Sequence, residues 1–197
     1  MDASGKAHEA FMEGDLDTAL QHYKDALTNN PNDAEVLSNL GQLLVRQGHA
    51  DQALAYFNRA IELNPDRWAD VFNRGRANAV LERWAESIAD YRRAQELFPN
   101  DYATTFNLAQ TLHKSGDDDA AVKEYQKAID LAPDDPSFRM ALGISLEKLD
   151  RKAEAASAYQ EALKLNPTAP DADKVKERIA ALTGAPMAAG NAPKLLN

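Results

Sequence analysis

Three asparagines, Asn39, Asn73 and Asn107, follow one another at intervals of 34 residues. A carboxamide both donates and accepts hydrogen bonds. A row of them at a fixed interval can therefore pair with the N–H and C=O groups of an extended polypeptide, whatever that polypeptide's sequence. Cations accompany the row: Arg46, Arg76, Lys114 and Lys148, with only Glu35 and Glu147 as nearby acids. Such a lining would steer a ligand with acidic side chains toward it. The plain alternative is a solvated face, on which asparagine and long cationic side chains are common.

No other set of residues reaches the spacing that catalysis or metal binding requires. The chain has no cysteine, which removes disulfides, thiolate metal sites and thiol nucleophiles together. His8, His22, His49 and His113 are scattered without paired ligand spacing, so a zinc site is not expected. Asp117, Asp118 and Asp119 could attract a cation, but no downstream glutamate completes a calcium-loop spacing. Their place at the start of a helical stretch suits carboxylates that cap free N–H groups. There is no glycine-rich phosphate loop, nucleophile elbow or acid–base pair. The expectation is a protein that is not an enzyme and uses no cofactor.

Composition narrows the partner. With 22 Lys and Arg against 31 Asp and Glu, the formal charge is -9. That excess argues against nucleic-acid backbone, which needs clustered cations, and against anionic lipid. No apolar run approaches the roughly 18 residues of a membrane span. The first residues, MDASGKAHEA, lack the apolar core of a secretion signal. A cytoplasmic protein is the default, although a secreted form with its signal removed would look the same.

The elements that would position the asparagines come from a repeat. The stretch ALAYFNRAIELNPD, residues 53–66, has near-copies starting at Ala19, Ser87, Ala121 and Ala155, each 34 residues after the last. Aromatics Tyr23, Phe57, Tyr91, Tyr125 and Tyr159 keep that register, as do Ala26, Ala60, Ala94, Ala128 and Ala162. So do Pro31, Pro65, Pro99, Pro133 and Pro167, each of which forbids the helix before it from continuing. A further helix precedes each copy; in repeat two Leu37, Leu40, Gly41 and Leu44 share one face of it. Gly41, Gly75, Ala109 and Gly143 should face Ala53, Ser87, Ala121 and Ala155, letting paired helices approach closely while the aromatic fills the space alongside. One hairpin cannot bury its apolar face alone, but five stacked hairpins can. The fold class is all-α, with repeats at about 1–33, 34–67, 68–101, 102–135 and 136–169 in one domain over 1–182. A capping helix follows at about 171–182, with Val175, Ile179 and Leu182 on one face. Residues 183–197, rich in small residues, Pro and Gly, read as a disordered tail.

Advancing about 100° per residue along each first helix separates an apolar sector from an opposite one. That opposite sector holds Asn39, Gln42 and Arg46 in repeat two, Asn73 and Arg76 in repeat three, and Asn107, Gln110 and Lys114 in repeat four. In repeat five it holds Ala141, which breaks the asparagine row, and Lys148. Phe72, Phe106 and Met140 stand on the shoulder between the two sectors. They would either form shallow apolar pockets for ligand anchors or pack against the neighbouring first helix.

The small–small–aromatic–Ala–Pro set at this period resembles the tetratricopeptide repeat family over about residues 2–169. The resemblance implies a right-handed superhelical α-solenoid whose first helices line a concave groove that binds an extended peptide or partner segment. The asparagine row is similar to the ladder some members use to grip main chain. The family's clamp for the acidic tails of heat-shock chaperones is not matched. Repeats one to three offer Ser4, His8, Asn39, Ala69 and Asn73 at its five places, and in each frame only the middle asparagine survives. Departures are few. Asp150 replaces a turn glycine, and Arg83 and Trp84 fill the turn of repeat three. Arg74 and Asn78 stand where repeat two has Leu40 and Leu44, which makes Asp90 the expected partner of Arg74 across the hairpin. The leading reading is a protein-interaction adaptor; the alternative is a structural scaffold that self-associates into homo-oligomers. A helical-repeat RNA binder is disfavoured by the acidic charge.

Overall fold

A computed structural model describes residues 2–184. Eleven helices, and no strand, occur among the described residues: α1 (Ala3–Glu13), α2 (Leu16–Asn29), α3 (Ala34–Arg46), α4 (Ala50–Leu63), α5 (Trp68–Val80), α6 (Trp84–Leu97), α7 (Tyr102–Ser115), α8 (Asp118–Leu131), α9 (Pro136–Lys148), α10 (Lys152–Leu165) and α11 (Ala172–Thr183). The architecture is an α-solenoid of helix–turn–helix repeats. The tail read as disordered lies outside the described residues from position 185 onward. The described residues form two compact units, divided between Ser115 and Gly116.

Helix starts follow from capping. Asp33 accepts from the N–H groups of Glu35 and Val36, Asp101 from Thr104, Asp117 from Ala120 and Asp135 from Ser137. The aspartate run at 117–119 is thus the cap and first turn of α8. Among the described residues no group of His, Asp and Glu could hold a metal ion. None of the described helices is long and apolar enough to cross a membrane.

In the first unit α1, α3, α5 and α7 lie side by side, with α2, α4 and α6 packed between successive members of that row. In the second, α8 packs on α9, α9 on α10 and α10 on α11. The register aromatics Tyr23, Phe57, Tyr91, Tyr125 and Tyr159 are each at most 1% exposed. Burying one such side chain stabilises a fold by about 1.5–3 kcal/mol.

The small residues of the first helices lie directly against the aromatics of the second. A Cβ added to Gly41 would meet Phe57 Cε1 at 2.7 Å. One added to Gly143 would collide with the ring of Tyr159. These glycines therefore make room for the aromatic itself, not only for the small residue opposite. At Gly75 the Ser87 hydroxyl adds a bond, donating to the Gly75 carbonyl at 2.9 Å.

The turns between paired helices differ from the expectation at one place. Gly14, Gly48 and Gly116 take left-handed φ of 86°, 85° and 91°. In repeat three that role falls to Glu82, at φ 56°, not to Arg83 or Trp84, which follow the turn and begin α6. Asp150 takes it in repeat five, at φ 57°.

Candidate functional site

The sector opposite the apolar face divides between the two units. In the first, α3, α5 and α7 place Asn39, Asn73 and Asn107 at one register position on three adjacent helices. Their environments differ. Asn39 is half-buried and its Oδ1 accepts from Gln42 Nε2 at 3.4 Å. Asn107 turns its Nδ2 back on its own helix, donating to the Ala103 carbonyl at 2.7 Å. Asn73 is 7% exposed, and its side chain makes no hydrogen bond among the described residues.

One turn beyond Asn73 lies Arg76. Its Nε is buried without a hydrogen-bond partner, and no acidic side chain pairs with it among the described residues. Burial pushes the Tyr91 phenol well above its usual range, and the nearby Arg76 charge pulls it the other way. A half-buried guanidinium against a buried phenol, with no counter-ion, is an incomplete arrangement.

The other cations separate by what they touch. Arg46 is exposed, but it lies 5.3 Å from the centre of the Phe11 ring and donates to the Phe11 carbonyl at 3.3 Å. Gln110 and Lys114 on α7 are exposed. Phe72 is half-buried, tilted against Tyr91 at 5.5 Å and edge-on to Trp68 at 6.1 Å, which fits the packing alternative for the shoulder residues. Phe106 is half-buried as well.

Lys148 and Met140 belong to the second unit, on α9. Lys148 is exposed, and Met140 lines a small cavity. The nearby acid, Glu147, is already engaged. It accepts from the Tyr159 hydroxyl at 2.7 Å and from Arg178 of α11, whose guanidinium stands 5.5 Å from the Tyr159 ring centre. Burial opposes ionisation of Glu147, yet the Arg178 and Tyr159 hydrogen bonds hold its carboxyl below the usual range.

Sequence reasoning missed Asp70, on the first turn of α5. It is fully buried, with no hydrogen-bond partner for either carboxylate oxygen, and the Ser38 hydroxyl beside it is also buried without one. The nearest cation, Arg67, has its Nε 3.7 Å from Asp70 Oδ1. Burial pushes the Asp70 carboxyl above its ordinary value, and Ser38 and Arg67 offset this only in part. The signal was present in the repeat register, where Val36, Thr104 and Phe138 occupy the equivalent position. The stack of Trp68 on Phe98, with ring centres 5.2 Å apart, was missed too.

Comparison with known proteins agrees with this architecture. Family models described as tetratricopeptide repeat match residues 10–73 and residues 106–170. A crystal structure of MamA protein is similar at 22% identity, with a TM-score of 0.78 over 88% of this chain and 92% of that one. MamA from Desulfovibrio magneticus RS-1, residues 41 to the end, gives 18% identity and a TM-score of 0.81 over 85% and 95%. YrrB, described as a TPR protein with an unusual peptide-binding site, gives 22% and 0.70 over 84% and 85%. At such identities the likeness is one of fold.

Proposed function

The chain belongs to the tetratricopeptide repeat family, and from that premise we propose that its α3–α5–α7 face binds an extended peptide through Asn73 and the residues around it. Its general role is protein–protein interaction rather than catalysis. The single observation behind the finer reading is the pair Asn73 and Arg76. The Arg76 Nε is buried without a hydrogen-bond partner, and the Asn73 carboxamide, a turn away on α5, makes no hydrogen bond inside the protein and is reached by solvent. Buried polar groups are nearly always satisfied, so the unsatisfied Arg76 nitrogen favours a ligand that completes it, and the free Asn73 amide beside it can bond to the same ligand. A peptide bond supplies both an acceptor and a donor for Asn73. A carboxylate on the same peptide supplies the counter-charge for Arg76. Asn39, Gln42, Asn107, Gln110 and Lys114 flank that centre, although Asn107 must release its own helix carbonyl to contribute its N–H groups. Arg46, held by Phe11, is a boundary rather than a contact. Phe72 and Phe106 supply apolar walls.

The test is a peptide-array selection on the full chain, followed by fluorescence polarisation with a selected peptide. Asn73→Ala should weaken binding at least about tenfold with little change in melting temperature, because Asn73 has no internal bond to lose. Arg76→Gln should weaken peptides carrying Asp or Glu and spare those in which it is replaced by Asn or Gln. Equal binding by wild type and both variants would remove the proposal.

A further inference from the structure

The second unit contains a cavity that the repeat pattern does not explain. Helices α8 and α9 are joined by residues 132–135, a link of four, as Leu131 ends α8 and Pro136 opens α9. Between Leu165, which ends α10, and Ala172, which opens α11, the link is 166–171, a length of six. Pro167 and Pro170 keep both neighbouring helices from extending into it. Beside this longer link, a cavity of about 150 Å³ lies among α9, α10 and α11. It opens to solvent; its walls are largely apolar, with Met140, Ala162, Leu163, Ala169 and Val175 among them, and Ser137, Asn166 and Asp171 are its polar members. Apolar surface that enters such a space from water is stabilised there. Met140 is also an adaptable wall, because an unbranched thioether reshapes itself around what enters. Asp171 precedes α11 but makes no capping bond, and its carboxylate is unpaired among the described residues.

The geometry points to this cavity as an anchor socket for one apolar side chain, of leucine or methionine size, from a bound peptide. The Asp171 carboxylate accepts the main-chain N–H of the same residue. The inference rests on the peptide-binding reading for the nature of its occupant. The socket itself uses α9, α10 and α11 and none of the asparagine row. Specificity follows from volume: alanine leaves the space unfilled, and tryptophan exceeds it.

The probe is N-acetyl-leucine methylamide, compared with N-acetyl-alanine methylamide, titrated into the full chain labelled with ¹³C at the methionine methyls. The chain has four methionines. Met12, on α1 and 70% exposed, serves as the internal reference. The Met140 methyl should shift saturably with the leucine compound, about tenfold more tightly than with the alanine compound, while Met12 stays still. Ala169→Leu, which fills the socket from its own wall, should abolish the Met140 shift. Asp171→Ala should weaken it severalfold. A non-saturating shift shared with Met12, or equal affinity for both compounds, would overturn the assignment in wild type alone. Two other outcomes would replace the peptide as occupant and likewise overturn it. One is saturable binding only after removal of residues 185–197, which would mean the chain's own end fills the socket. The other is a Met140 shift that follows protein concentration without probe, which would mean a second copy does. Loss of peptide binding in Asn73→Ala together with an unchanged Met140 titration would separate the two proposals.

Discussion

Arg74 and Asp90 meet across the α5–α6 hairpin in a two-pronged ion pair, with Arg74 Nη2 2.5 Å from Oδ1 and Nε 3.0 Å from Oδ2. Asn78 donates to the same carboxylate at 3.0 Å, and Asn58 accepts from Arg74 Nη1 at 2.9 Å. Asp90 is only 5% exposed, so its charge is affordable because three donor groups converge on it. Removing the acid strands these donors on two side chains; Asp90→Ala should therefore destabilise the first unit by about 3 kcal/mol. Replacing the whole network should not. Arg74→Leu with Asn78→Leu and Asp90→Tyr copies Leu40, Leu44 and Tyr56 of repeat two, and should leave stability within about 1 kcal/mol of the parent. Urea unfolding of the two variants checks this, and a triple variant as weak as Asp90→Ala would contradict it.

This network was readable from the sequence because two polar residues interrupt an apolar column that repeats two, four and five keep. The helices were readable for the same reason: a proline, an aromatic and a small residue recur in one register, and each has a steric or packing consequence. Less was legible where geometry depends on partners distant in sequence. Nothing in spacing says that Arg178 reaches back 31 residues to Glu147, or that Phe98, just past the end of α6, turns its ring onto Trp68. Arg46 and Asn107 were placed correctly on their helices, yet the bonds that occupy them, to the Phe11 and Ala103 carbonyls, come from side-chain rotamers that a helical wheel does not contain. Asp70 was overlooked for another reason. It faces neither the paired helix nor the ligand sector, but the seam between α3 and α5.

The left-handed turns give a second prediction. Glu82 and Asp150 hold φ near +56° where repeats one, two and four use glycine. For a residue with a Cβ that conformation costs about 1–2 kcal/mol, part of which glycine gives back as entropy lost on folding. Neither side chain is buried. Glu82→Gly and Asp150→Gly should each raise stability by about 0.5–1 kcal/mol, whereas Gly48→Glu should lower it by a similar amount. Thermal unfolding decides it, and a destabilised Glu82→Gly would show that the glutamate side chain holds the turn in some other way.

Asp70 gives the third, through pH. Because burial raises its carboxyl pKa in the folded chain above the unfolded value, the folded state holds the proton more tightly. The stabilising contribution of the protonated form is complete below the unfolded value, near 3.8, and is lost as pH rises through the higher folded value. Protonated, Asp70 has a donor to offer the unpartnered Ser38 hydroxyl beside it; ionised, it is a buried charge with Arg67 Nε at 3.7 Å as its nearest counter-charge. Asp70→Asn keeps the shape and a donor, and discards the charge. At neutral pH it should stabilise the first unit by about 1–3 kcal/mol, with Arg67, one-third exposed, losing little. Below the unfolded value the gap between the two proteins should close. Urea unfolding of both at matched pH isolates the effect, since every other carboxylate cancels in the difference. An Asn variant less stable than wild type at pH 7, or a gap that does not change with pH, would mean the Asp70 charge is compensated by the groups around it.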